Sequence, residues 1–132
     1  MKEYQLEARL FKTLMHPVRL AILDILRDGE QCVCHMEAML GLRQAYISQH
    51  LMVLRKAGLV ADRRDGWNMY YCVIKPEIFA VLDAMNAITG KTSRRIIHVH
   101  GATECPCPKC NAGEGLSSSR SLTVFSQEKS SL

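Results

Sequence analysis

Apolar side chains recur every three or four positions along much of the first ninety residues, which is the spacing of amphipathic helices. Gly41 and Gly58 each follow an apolar segment and mark its end, because glycine readily takes the left-handed conformation found after helices. Pro17 and Pro76 stand where helices begin, since proline fits the first helical turn. The pattern predicts helices over residues 3–14, 17–28, 33–40, 43–57 and 77–89.

Residues 59–63 and 67–74 have a different pattern, which predicts two β-strands. Asp65-Gly66 lies between them and is a strong signal for a tight hairpin. A tight turn at Gly41-Leu42 joins the third and fourth predicted helices, so this pair is a candidate helix-turn-helix. The predicted fold class is therefore mainly α with a small β-hairpin, arranged as a winged helix-turn-helix.

The charge of the chain is concentrated in this part of the sequence. The whole chain carries a net charge of +4. Residues 43–64 alone contain five basic residues against the single acid Asp62, which also gives +4. Positive charge concentrated on a helix and a hairpin is typical of a surface that binds nucleic-acid phosphates. It favours DNA binding over the alternative, an ordinary helix with a solvated charged face.

The predicted outward face of helix 43–57 carries side chains that read base edges. In a winged helix this helix enters the major groove, and the hairpin reaches the flanking backbone. Arginine pairs with guanine and glutamine with adenine, while serine contacts either a base or a phosphate. We expect DNA contacts from the residues of this face and of the hairpin: Arg43, Gln44, Tyr46, Ser48, Gln49, His50, Arg55, Arg63 and Arg64. For His50, a packing or phosphate contact is an equal alternative to contact with a base.

The length of 132 residues suits one domain with a tail. We expect a domain over residues 1–90 and a Ser-rich tail over residues 91–132 that is largely disordered, because it has few large apolar side chains to bury. No apolar run reaches the roughly 18 residues of a membrane span. The first residues lack the apolar core of a signal peptide, so a cytoplasmic protein is expected.

Five of the six cysteines form two close groups rather than a spread framework, and only Cys72 stands apart. Cys32 and Cys34 lie at the start of the third predicted helix, and Cys105, Cys107 and Cys110 lie in the tail. The cytosol keeps thiols reduced, so this spacing indicates metal or redox chemistry. Residues two apart on a helix point about 200° apart. Cys32 and Cys34 can therefore share one ion only if the helix begins around them or unwinds.

Several blocks of fixed spacing occur in order along the chain: His16 to Leu23, Cys32-Val33-Cys34, Ile47 to Val60, Arg64-Asp65-Gly66 and Tyr70-Tyr71. Together they resemble the ArsR/SmtB family of metal-sensing bacterial repressors, over about residues 5–90. The resemblance implies a homodimeric winged-helix repressor that is not an enzyme. It also implies release of operator DNA when the protein binds a metal ion or is otherwise modified, and a dimer interface formed by the first and last helices.

The Cys-Val-Cys element resembles the thiolate site of that family at the start of the third helix. Two soft sulfurs favour thiophilic ions, with As(III) or Sb(III) as the expected inducer and Cd(II), Pb(II) or Zn(II) as alternatives. Arsenic-sensing members add a cysteine three positions after the second one, where this chain has Glu37. A third sulfur must therefore come from elsewhere. The tail cysteines, which Pro106 and Pro108 hold on a stiff loop, either complete the site of Cys32 and Cys34 or bind an ion on their own.

Two other functions fit the same cysteines. The first keeps the DNA-binding repressor but replaces the metal with thiol oxidation or persulfidation, which suits accessible cysteines of low pKa. The second is a thiol oxidoreductase or metal carrier built on Cys107-Pro108-Lys109-Cys110. That motif is weak because a redox fold needs alternating strands and helices around it. The expected partners are double-stranded operator DNA and a second copy of the chain, without a membrane.

Overall fold

The structure is a computed structural model, and it describes residues 1–91 of the chain. In chain order its elements are α1 (Lys2–Leu14), α2 (Pro17–Ile25), a 3-10 turn (Leu26–Asp28), β1 (Gln31–Cys32), α3 (Val33–Leu40), α4 (Gln44–Lys56), β2 (Val60–Asp65), β3 (Asn68–Val73) and α5 (Glu77–Thr89). The five predicted helices are therefore confirmed, with small shifts at their ends. Tail residues from position 92 onward lie outside the described part of the chain.

Local sequence signals account for the helix ends. Pro17 occupies the first turn of α2, and the Nδ1 atom of His16 accepts a hydrogen bond from the backbone N–H of Val18. Gly41 ends α3 with φ of 65° and a backbone bond to the carbonyl of Glu37. That left-handed residue reverses the chain within a few positions, so α4 begins at Gln44 and the helix-turn-helix closes.

The sheet has three antiparallel strands in the order β1-β3-β2, and not the hairpin alone that the sequence predicted. β2 and β3 form the hairpin, which turns at Gly66 with φ of 61°. β1 adds Gln31 opposite Tyr71 and Cys32 opposite Tyr70. Its two residues are too short to show any periodicity, which is why the pattern missed it. We call β2, β3 and their turn the wing.

The helices enclose one apolar core. Its most completely buried side chains come from α2, α3, α4 and the start of β2: Ile22, Leu23, Met36, Ile47, Leu51, Leu54 and Val60. Each such side chain contributes about 1.5–3 kcal/mol through burial. The inward face of α4 that its spacing predicted is confirmed. This face packs into the core and holds α4 in place, while the opposite side of the helix stays accessible.

α1 and α5 contribute less to this core. Leu14 is buried, but Leu6 is 68% exposed and Phe11 is 55% exposed on α1. On α5, Ile88 is 85% exposed. Large apolar side chains therefore remain uncovered on both terminal helices within one copy of the chain. Across residues 1–91, none of the helices has the length and apolar character needed to cross a membrane.

Candidate DNA-binding surface and cysteine pair

The side of α4 that faces away from the core carries most of the predicted base-reading residues. Arg43 precedes the first turn, and Gln44 and Gln49 are exposed on the helix. Tyr46 is 40% exposed, and Ser48 is half-buried. These five side chains lie around the part of α4 that Ile47, Leu51 and Leu54 leave outside the core. The first two turns of the helix therefore present donors and acceptors that suit base edges.

His50 is the exception, and its predicted place on the exposed face is wrong. Its side chain is 7% exposed and lies against the start of α2. Arg19 Nε donates a hydrogen bond to His50 Nδ1 at 3.2 Å. The His50 ring lies 4.2 Å from the ring of His16 and 4.8 Å from that of Tyr46, measured between centroids. The spacing of His50 from Ile47 and Leu54 already places it at the edge of the buried face of α4, although its polar character pointed outward. Its contacts with His16 and Arg19, more than thirty positions away, cannot be seen in that spacing.

Burial is the main reason that the pKa of His50 is lowered, and the charges of His16 and Arg19 act in the same direction. A neutral His50 is consistent with its contacts, because Nδ1 accepts the bond from Arg19 and the proton is then assigned to Nε2. Within residues 1–91, His50 Nε2 is buried without a hydrogen-bond partner. His50 therefore positions α4 against α2 in its neutral form.

The basic residues at the end of α4 and in the wing differ in their surroundings. Arg55 Nη1 lies 3.1 Å from an oxygen of Asp62, so this pair neutralises one positive charge near the end of α4. Arg64 is exposed in β2, opposite Met69 of β3. Trp67, at the tip of the wing, is 97% exposed. The +4 counted over residues 43–64 already includes Asp62, so only acidic residues outside this range lower the positive charge of the surface below that count.

Arg63 is the clearest case. Its Nε and Nη2 atoms donate to the two carboxylate oxygens of Glu30 at 3.1 and 2.7 Å. Its guanidinium also lies over the ring of Tyr70, 4.8 Å from the centroid. The hydrogen bonds that Arg63 donates to Glu30 raise the pKa of Arg63, so the guanidinium stays charged and held in place. Sequence analysis missed Glu30, because 33 positions separate it from Arg63.

Cys32 and Cys34 are joined by a disulfide, although reduced thiols were expected. Cys32 has an extended conformation and precedes the first residue of α3, so the helix begins between the two cysteines. This start brings the sulfurs together and removes the obstacle of side chains pointing in opposite directions. Cys32 Sγ also accepts a hydrogen bond from the backbone N–H of Cys34 at 3.2 Å. We call these two residues the cysteine pair.

The donor set of the described residues can be tested against a metal ion. When reduced, the cysteine pair offers two soft thiolates, which fit a thiophilic ion. Among residues 1–91, no group of three or more His, Cys, Asp and Glu side chains is arranged to hold a metal ion. Cys105, Cys107 and Cys110, the expected sources of a third sulfur, lie outside the described residues. The described site is therefore a two-sulfur site.

The cysteine pair contacts the wing directly. Cys32 is 2% exposed and packs against Tyr70, which is 4% exposed, and Cys34 and Ala38 border this contact. The backbones of Cys32 and Tyr70 are also paired in the sheet. α3, which is the first helix of the helix-turn-helix, and β3 of the wing therefore meet at the cysteine pair.

Comparison with known proteins agrees with this architecture. The family model described as "Bacterial regulatory protein, arsR family" matches residues 16–62. An uncharacterized HTH-type transcriptional regulator of Mycobacterium tuberculosis is 40% identical over 95 residues, which cover 71% of this chain and 80% of that protein. An arsenic resistance transcriptional regulator of Pseudomonas putida is 42% identical over 86 residues, which cover 64% of this chain and 66% of that protein.

Solved structures give the same result. NolR from Sinorhizobium fredii has a TM-score of 0.62 and 34% identity, and the match covers 69% of this chain and 91% of NolR. A homodimeric winged helix-turn-helix DNA-binding domain from Mycobacterium bovis has a TM-score of 0.60 and 28% identity, with coverage of 67% and 82%. The chain belongs to the arsR family of bacterial regulatory proteins. The predicted winged fold is confirmed, as is a DNA-binding transcriptional repressor that is not an enzyme.

Proposed function

We propose that this repressor holds operator DNA through α4 and the wing and releases it when the cysteine pair reacts. The observation that carries the proposal is the position of the two sulfurs. They meet at the first turn of α3, beside β3 of the wing. A ligand or bond that changes the backbone there acts on the helix-turn-helix and on the wing together. The thiols are thus next to the DNA-binding elements without being part of the DNA-binding surface.

The DNA contacts follow from exposure and chemistry. Arg43 reads guanine, while Gln44 and Gln49 read adenine from the exposed side of α4. Tyr46 and Ser48 add contacts to bases or phosphates, and the exposed arginines of the last turn of α4 and of β2 contact the backbone: Arg55, Arg63 and Arg64. His50 supports this surface from below, through its contacts with Arg19 and Tyr46.

A second copy of the chain completes the repressor. The exposed apolar side chains of α1 and α5 need a partner, since a monomer leaves Leu6, Phe11 and Ile88 in water. The homodimeric relative from Mycobacterium bovis supports this arrangement. A dimer presents two copies of α4 to successive turns of the major groove, which suits a palindromic operator.

The proposed inducer is a thiophilic ion, with As(III) or Sb(III) favoured and Cd(II), Pb(II) or Zn(II) as alternatives. Two thiolates at one helix start form a chelating pair for such ions, and tail cysteines are proposed to supply a third sulfur. The similarity of this chain to the arsenic resistance transcriptional regulator of Pseudomonas putida supports arsenic among these ions. The backbone N–H of Cys34 and the positive end of α3 stabilise the thiolate form that binds the ion.

Thiol oxidation is a second candidate, and the disulfide is the observation that favours it. Cys32 and Cys34 are joined directly at the start of α3, which begins at Val33. In this reaction the two thiols lose two electrons and two protons to a hydroperoxide, which leaves as an alcohol and water. Oxidation and ion binding use the same sulfurs, so each excludes the other at a given moment.

Fluorescence anisotropy of DNA carrying the promoter of the chain's own gene tests both parts of the proposal. Reduced, ion-free protein is expected to bind this DNA more tightly than random DNA, and the proposal fails if the two affinities are equal. Arsenite and a hydroperoxide are then added separately, with cadmium, lead and zinc salts as further arms. Release by an ion that a chelator reverses supports the metal candidate, and release that a reductant reverses supports oxidation.

The cysteine assignment has its own control. Cys32→Ser and Cys34→Ser are expected to bind DNA normally and to ignore both inducers. Cys72→Ser is the matched control, because Cys72 is a half-buried free cysteine of β3 outside the pair. If the serine variants of the pair still respond, or if the Cys72 variant alone loses the response, the sensor lies elsewhere.

A further inference from the structure

Tyr70 is in contact with two chemically different groups. The cysteine pair packs against it from the side of α3, and the Arg63 guanidinium lies over its ring. Because Tyr70 is 4% exposed and is paired with Cys32 in the sheet, it cannot move independently of β1. The contact network therefore runs without a gap from the sulfurs to a basic residue of the wing.

Glu30 closes this network from the other side. It immediately precedes β1, two positions before Cys32, and its carboxylate grips Arg63 through two hydrogen bonds. Such a two-point contact uses the same planar edge of the guanidinium that binds a phosphate. Arg63 Nη1 also lies 4.0 Å from an oxygen of Asp65. Glu30 and a DNA phosphate therefore compete for one edge of Arg63.

We propose that Glu30 is the positioning residue that transmits the state of the cysteine pair to the wing, by holding Arg63 away from DNA or releasing it to a phosphate. This inference rests on the proposed function, since it requires that the cysteine pair controls DNA binding. A shift of β1 displaces Glu30 directly, because the two are adjacent in the chain. The coupling between sulfur chemistry and DNA affinity thus depends on a carboxylate that contacts neither DNA nor the inducer.

The test compares two operator affinities of the full-length protein, one with the Cys32–Cys34 disulfide and one with both thiols reduced by a phosphine. The ratio of the two dissociation constants measures the coupling. For the unmodified protein the ratio should lie in the range of about 5 to 150 that is typical of allosteric proteins. A ratio of one for the unmodified protein would rule out thiol oxidation as the inducer and the role of Glu30 in transmitting it, whereas the metal candidate is decided separately by release with arsenite.

Glu30→Gln frees Arg63 in both states. It is expected to tighten binding to operator and random DNA. The slope of log affinity against log salt concentration should become steeper by about 0.9, which corresponds to one added phosphate contact. The ratio of the two dissociation constants should fall below about 5. Arg63→Gln is also expected to reduce the ratio of the two dissociation constants, but it should weaken binding to DNA rather than tighten it. Opposite effects on affinity with the same loss of coupling distinguish transmission through this ion pair from general damage to the fold.

Asp65→Asn is the matched control, because it removes a carboxylate near the same guanidinium without breaking the two-point contact. This variant should show the same ratio of dissociation constants as the unmodified protein. If Glu30→Gln keeps the full ratio, or if Asp65→Asn lowers it equally, the role of Glu30 is disproved. Thiol titration and mass spectrometry of each variant confirm that the disulfide still forms, so that a lost ratio cannot come from a lost bond.

Discussion

Arg19 Nε donates a hydrogen bond to His50 Nδ1, and this contact joins the middle of α4 to the start of α2. Arg19 Nη1 also donates to the backbone carbonyl of Thr13 at 3.1 Å, near the end of α1. One guanidinium thus connects three helices beneath the DNA-binding surface. The orientation of α4 depends on His50 remaining an acceptor, since a protonated imidazole offers only donors.

Acid should therefore destabilise the fold through His50. Its pKa is lowered in the folded chain from 6.5, so the unfolded chain binds more protons as the pH falls. The stability that His50 contributes is complete above pH 6.5 and is lost progressively below it. We expect the free energy of unfolding in urea to decrease between pH 7 and pH 5.

His50→Asn provides the control for this prediction. Its side-chain oxygen can accept from Arg19 but does not titrate, so the pH dependence of unfolding should become shallower than in the unmodified protein. His35→Asn, which changes a half-buried histidine of α3, should keep most of the pH dependence. Equal slopes for the unmodified chain and His50→Asn would contradict the assignment.

The arginines of the wing should contribute unequally to DNA binding. Arg63 is held by Glu30, whereas Arg64 is exposed at the neighbouring position. When the disulfide is present, Arg64→Ala is expected to weaken operator and random DNA alike and to reduce the salt slope by about 0.9. Arg63→Ala should have a smaller effect on the same slope. Titrations at several salt concentrations measure both, and a larger loss for Arg63→Ala would show that Glu30 does not neutralise it.

Sequence specificity should reside in α4. Gln44→Ala and Gln49→Ala remove the side chains proposed to pair with adenine, so each is expected to cost about 1–3 kcal/mol on the operator and almost nothing on random DNA. Lys56→Ala is the control, since it removes an exposed charge at the end of α4 and should weaken both DNAs alike. Competition binding with operator and random duplexes distinguishes these outcomes. A uniform loss for the glutamine variants would mean that they contact the backbone.

The sequence predicted the elements whose signals are local. Gly41 and Gly58 end the two helices of the helix-turn-helix, and Asp65-Gly66 turns the hairpin, because each needs a particular backbone conformation at one position. The inward face of α4 was equally predictable from its spacing. These features depend on neighbours within a few residues, which a single sequence displays directly.

The contacts that control the site depend instead on distant residues. β1 exists because Gln31 and Cys32 pair with β3, some forty positions further along the chain. His50 turns inward because His16 and Arg19 approach it, and Arg63 loses its free edge because Glu30 lies beside it. Composition and periodicity contain no information about such pairings. The charges from Arg43 to Arg64 therefore indicated where the basic surface lies but not its electrostatic potential.

The last prediction concerns assembly through the terminal helices. Leu6 and Phe11 are exposed apolar side chains of α1, and burial in a dimer is worth about 1.5–3 kcal/mol for each large side chain that becomes covered. Phe11→Ser should therefore shift the chain toward monomer in sedimentation equilibrium. Operator affinity should fall with it, because a monomer holds one half-site. Trp67→Ser removes an even more exposed aromatic residue at the tip of the wing, and it should leave the dimer intact. A dimer that survives Phe11→Ser, or dissociates with Trp67→Ser, would place the interface on another surface.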